Sequence, residues 1–146
     1  MRKITPLLAT LVLLLAITVP AVSATDRNYI VIVNESVDAK MISVPELKRI
    51  FTKKRSHWGD GKPIVTVEQG GSSTARVAFY RTVLHSSVAQ MSTYWINQTM
   101  TNGLAPPKIH TNARRVVSYV ARTPGAIAFI DANTDLPSGV KRIVIK

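Results

Sequence analysis

The 146-residue chain contains no cysteine, 8 acidic side chains against 19 Lys plus Arg, and only 6% aromatic residues. Without cysteine there is no disulfide framework, no thiolate metal site and no cysteine nucleophile. Its three histidines, His57, His85 and His110, are scattered with no second ligand at helical or turn spacing. They are therefore expected at the surface or in local hydrogen bonds, and no metal is implied. The few carboxylates are equally dispersed, so a paired-carboxylate mechanism would need Asp60, Asp131 or Asp135 to meet through folding. A nucleophile elbow, a phosphate-binding Gly-x-x-x-x-Gly-Lys loop and a His-Glu-x-x-His helix are all missing. Neither an enzyme nor a cofactor-dependent protein is expected.

Hydrophobic residues make up 46% of the chain, too many for a disordered polycation, and the length suits one domain. One long apolar run occurs, at 7–19. Arg2 and Lys3 precede it and Val22-Ser23-Ala24 closes the segment with small residues. Residues 1–24 thus read as a cleaved secretory signal peptide and 25–146 as the mature domain. The run is shorter than the roughly 20 residues that span a bilayer, so the protein is not expected to be membrane-embedded. Removing 24 residues with two basic side chains leaves 122 residues at a formal charge of +9. With no cysteine to carry a lipid anchor, a periplasmic location is expected, with secretion as the alternative.

Tyr29-Ile30-Val31-Ile32-Val33 is a continuous apolar run, as in a strand covered on both faces, the habit of parallel sheets. Ser43 can cap a helix with Pro45 and Glu46 in its first turn, and Val44, Leu47, Ile50 and Phe51 form its apolar side. Further strands are expected at 64–67, 126–130 and 140–145. Helices are expected from Ala75, from Val88 to about Met100, and from Ala113 to the stop at Pro124-Gly125. In the helix from Ala75, a second stripe of Val77, Tyr80 and Leu84 suggests cover on both sides. This alternation predicts an α/β domain with a largely parallel sheet flanked by helices.

The segment with the most chemical potential is Gly70-Gly71-Ser72-Ser73-Thr74-Ala75-Arg76, between a strand and a helix. Two glycines permit close backbone approach, three hydroxyls offer donors, and a helix N-terminus favours negative charge. Ser72 or Ser73 would equally well cap the helix with no ligand present. Arg114 and Arg115 fall in the first turn of their helix, where the dipole disfavours cations and a bound anion would relieve the cost. The densest basic cluster, 48–55, reads as a solvated helix face and loop. Contact with lipopolysaccharide phosphates or nucleic acid through it is the other possibility. Aromatic interleaving for base stacking is missing, so no nucleic-acid partner is expected.

Taken in order, Pro45-Glu46-Leu47-Lys48-Arg49-Ile50-Phe51, Trp58-x-Asp60-Gly61, the Gly/Ser/Thr turn with Arg76-x-x-Phe79, Tyr94-Trp95, and Val117-x-Tyr119-Val120-x-x-Thr123-Pro124-Gly125-Ala126-Ile127 resemble the periplasmic substrate-binding proteins of phosphate ABC transporters. The resemblance extends from about Tyr29 to Ile130. It implies a periplasmic-binding-protein-like α/β fold, here a single lobe because the chain is under half of a two-lobed binder. It also implies a phosphate or similar small oxyanion ligand without metal, and an envelope or ABC transporter protein as a possible partner. Gly71, Ser72, Ser73 and Thr74 would donate hydrogen bonds and Arg76 would supply charge. Asn34 and Ser36 would complete the site if the first strand ends beside the turn. That family carries an Arg and an Asp just ahead of the turn, where this chain has Glu68 and Gly70. The alternative reading is a lobe that binds no ligand and docks onto another envelope protein.

Overall fold

The structure, a computed structural model, describes residues 27–146. The expected signal peptide lies outside the described residues. Six strands form one mixed sheet in the order β2-β6-β1-β5-β3-β4: β1 (Tyr29–Asn34), β2 (Met41–Ile42), β3 (Val65–Gln69), β4 (Lys108–His110), β5 (Ala126–Asp131) and β6 (Val140–Ile145). The helices are α1 (Val44–Phe51), α2 (Thr74–Phe79) with a π-helical continuation (Tyr80–Leu84), α3 (Val88–Asn102) and α4 (Ala113–Arg122).

Strand alternation divides the core into two layers. Val31, Val33, Ile127 and Phe129 point to the side of α1, α2 and α3, and Ile30, Ile32, Ala128 and Ile130 point to α4. The first layer is built on aromatic rings: Phe79 stacks on Phe129 at 4.0 Å and meets Phe51 edge-on at 4.8 Å. The second holds no buried aromatic ring: Val116, Val117 and Val120 of α4 are set on Ile30, Ile32, Ile130 and the smaller Ala126 and Ala128.

β3 runs parallel to both β4 and β5, and β2 runs parallel to β6. β1 is antiparallel to both of its neighbours, pairing Ile30 with Ile130 and Val33 with Lys141. The sheet is largely parallel with a reversed strand at its centre. A continuous apolar run records burial on both faces, which β1 has, and carries no information about strand direction.

Local signals place the helices. Ser43 and Glu46 close a capping box on α1 and Ser87 and Gln90 do so on α3, while Asn112 caps α4. The expected double cover of the second helix is only half met. The π-helical turn shifts the register so that Phe79, Tyr80, Val83 and Leu84 all face the core, leaving Val77 51% exposed.

Candidate functional site

The carboxyl ends of the three parallel strands β3, β4 and β5 meet at the turn 70–74. The Gly70 N–H donates to the His110 carbonyl at 2.8 Å, joining β3 to β4. Across the sheet, the Thr74 hydroxyl donates to Asp131 Oδ1 at 3.1 Å, at the end of β5. Gly70 is glycine for want of space, since a Cβ there would lie 2.6 Å from Ile109 Cγ2. Gly71 has φ +69° in open surroundings and turns the chain into α2.

Four candidate residues are contiguous here and differ in availability. Gly71 and Ser72 are exposed. Ser73 is buried, and its hydroxyl accepts from the Arg76 N–H at 3.3 Å, capping α2. Thr74 is exposed and holds the Asp131 carboxylate against the turn. Ahead of the capped Arg76 amide, the Thr74 and Ala75 amides have no intrahelical acceptor, as at any helix start, and the helix dipole points the same way.

Arg76 does not extend free charge to this surface. Its Nε lies 3.5 Å from Glu68 Oε2 and donates to the Tyr80 hydroxyl at 3.3 Å; Tyr80 in turn donates to Glu68 Oε2 at 2.5 Å. Glu68 is only 2% exposed. Burial pushes its pKa above the ordinary carboxylate value, opposed by the Tyr80 hydrogen bond and by the charges of Arg76 and Lys53. Burial, and then the neighbouring Glu68 carboxylate, raise the Tyr80 phenol well above its usual range. Burial lowers the pKa of Lys53, against the pull of Glu68. The charge expected from Arg76 is thus spent on a buried carboxylate that sequence reading left unpartnered. The alternation of β3 could have signalled it, because Glu68 must face inward if Val67 packs on α4.

Asn34 and Ser36 are not brought to the turn. β1 runs against β3 and β5, so its last residues stand at the opposite end of the sheet, with Val33 level with Ile127 and Tyr29 level with Asp131. There Asn34 Nδ2 donates to the Val120 and Ala121 carbonyls at 2.8 and 3.1 Å, closing the C-terminus of α4. Its Oδ1 accepts from the Ser36 N–H, and the Ser36 hydroxyl accepts from the Gly125 N–H at 3.2 Å. The assumption that failed was that of a parallel first strand. Asp131 was missed as a neighbour of the turn because 57 residues separate it from Thr74.

Arg114 and Arg115 are exposed in the first turn of α4 as expected. Within the basic cluster, Arg55 pairs with Glu46 at 2.7 Å and Lys53 is half-buried. Among the described residues no group of His, Asp and Glu could hold a metal ion, and no helix is long and apolar enough to cross a membrane.

A family model described as a PBP superfamily domain matches residues 25–144. A comparison with curated proteins gives no match. Among solved structures, the chain is similar to a Clostridium perfringens protein assigned as a phosphate ABC transporter substrate-binding protein and solved with bound phosphate. The identity is 20% and the TM-score 0.63, over 81% of this chain and 44% of that one. It is similar to an ABC-type phosphate transport receptor from Vibrio cholerae at 16% identity and TM-score 0.55, over 81% and 46%. It is also similar to PstS from Borrelia burgdorferi at 13% identity and TM-score 0.63, over 82% and 47%. The chain spans less than half the length of each of these structures, and at such identities the likeness shows the fold. With its model matched over nearly all of the described residues, this chain belongs to the PBP superfamily.

Proposed function

We propose that this chain is an exported, periplasmic solute-binding lobe that takes phosphate or a similar small oxyanion at the turn 71–74. The observation that carries this reading is the convergence of the carboxyl ends of β3, β4 and β5 on an exposed Gly71-Ser72 step at a helix start. Open α/β sheets place ligands at that edge. The structural neighbours named for phosphate transport lend the ligand class. Ser72 and Thr74 hydroxyls and the turn amides are the donors; Thr74 exchanges its bond to Asp131 for one to the ligand. With Arg76 held by Glu68, the site works without direct guanidinium contact. Modest affinity and poor discrimination among phosphate, arsenate and sulfate are therefore expected. Calorimetric titration of residues 25–146 with the three anions tests this: Ser72→Ala with Thr74→Ala should abolish the heat. No heat from the unmodified chain at millimolar anion would sink the reading.

A second reading, a ligand-free lobe that docks on an envelope or transporter protein, is favoured by one observation. Val77 and Ile109, 51% and 53% exposed, border the turn with apolar surface. Crosslinking in envelope extract beside the phosphate titration would separate the two: on this second reading Val77→Asp with Ile109→Asp should lose the partner, and the unmodified chain should give no phosphate heat.

A further inference from the structure

Beyond that reading, the α4 face of the sheet carries a second concentration of charge that the turn does not use. His110 of β4 and Arg115, Ser118, Tyr119 and Arg122 of α4 line a hollow of about 250 Å3. Its wall offers two guanidiniums, an imidazole, a hydroxyl and a phenol, and no carboxylate. Arg115, Ser118 and Arg122 follow one another at i, i+3 and i+7, a single stripe about 10 Å long.

Neither arginine enters an ion pair among the described residues; the three pairs there are Arg55–Glu46, Lys62–Asp60 and Arg76–Glu68. Lys108 adds a cation at the rim, its Nζ 4.7 Å from the centre of the Tyr119 ring. The His110 ring lies 5.0 Å from the same ring, and its Nε2 is shut from solvent without a hydrogen-bond partner. Gln69, opposite His110 in the β3–β4 register, likewise has an unpartnered Oε1. Ser118 and Arg122 also border an adjoining groove of about 510 Å3, floored by Val117 and Ala121 and carrying one further cation, Arg114, and one carboxylate, Asp135.

The geometry points to an anion site in this hollow for the phosphate group of a phosphomonoester, with the organic remainder of the ester lying in the adjoining groove. Two guanidiniums separated by two helical turns can grip a tetrahedral dianion from both ends, with the Ser118 hydroxyl between them. The hollow itself has no carboxylate to repel the phosphate; Asp135 stands in the adjoining groove, where the uncharged remainder of the ester would lie, and the apolar floor there gives the ester an advantage over the bare ion. A soluble sugar or glycerol phosphate and the headgroup of phosphatidic acid present the same group.

The test uses the chain carrying Ser72→Ala and Thr74→Ala, so that the turn does not contribute. Equilibrium dialysis with glycerol 3-phosphate forms one arm, and co-sedimentation with phosphatidylcholine vesicles, with and without phosphatidic acid, the other. Binding in at least one arm is expected, with Arg115→Ala plus Arg122→Ala weakening it at least tenfold, about the worth of one charge-assisted hydrogen bond. Arg142→Ala, an exposed cation on the same face and outside the hollow, should leave it unchanged. Binding confined to the dialysis arm identifies a soluble ester, and binding confined to phosphatidic acid vesicles identifies the lipid. No binding in either arm, or equal weakening by Arg142→Ala, overturns the proposal whether or not the turn binds phosphate.

Discussion

The two ends of the sheet use the same kinds of side chain to opposite effect. At the amino ends of β3 and β5, Asn34, Ser36, Trp58 and Gly125 are tied together. Asn34 closes α4, Ser36 accepts from Gly125, and Trp58 Nε1 donates to the Gly125 carbonyl at 2.9 Å. At the carboxyl ends, Gly71, Ser72 and Thr74 stand at the surface, and one solvent-facing hydrogen bond to Asp131 engages them. A buried polar group must find its partner inside the protein, whereas an exposed one can wait for a ligand. Polar residue type alone therefore does not mark a site; unspent hydrogen-bonding capacity at the ligand-bearing edge does.

This contrast breaks most severely at Gly125. With φ +76° and a would-be Cβ 2.2 Å from the Pro63 carbonyl oxygen, Gly125→Ala must displace backbone. A loss of about 3 kcal/mol or more in urea unfolding is expected. Gly71→Ala, at φ +69° in open space, should cost only about 1 kcal/mol. If the two glycines cost the same, the locked end is no more constrained than the open one. Asn34→Ala should come next, at about 2 kcal/mol, because buried carbonyls of α4 lose their donor.

Glu68 sharpens the comparison from beneath the turn. Its pKa is raised in the folded state, so the folded protein holds the proton more firmly than the unfolded chain does. Its contribution to stability is complete below the ordinary value of 4.5 and is lost as pH rises through the elevated one. Stability should therefore fall over that window, by at most about 1.4 kcal/mol per pH unit from this group. Glu68→Gln should flatten the decline, as denaturant titrations across the window would show; an unchanged slope would mean that Glu68 is not its source.

The smallest effect on stability is expected from Ser72→Ala with Thr74→Ala, under about 0.5 kcal/mol. Thermal denaturation would check it, and a loss several times larger would place this turn with the locked end.

Much of this architecture was legible from local chemistry. The capping box at Ser43, the glycine-proline stop after α4 and the apolar stripes of α1 and α4 place their elements within a residue or two. Two short strands escaped, since Met41-Ile42 and Lys108-Ile109-His110 are too brief to show a period, and so did the π-helical turn. Of the candidate site, the turn itself was readable because its residues are contiguous. The fates of Asn34 and Arg76 were not, since one depends on the direction of β1 and the other on a strand carboxylate reaching a helix eight residues away.

The most direct test of the central claim, that the ligand end is the open end, is a phosphate titration followed by amide chemical shifts of residues 25–146. Saturable shifts at Gly71, Ser72 and Thr74, with Ser36 and Gly125 unmoved, are the predicted result. Shifts at Ser36 and Gly125 with a silent turn would contradict it.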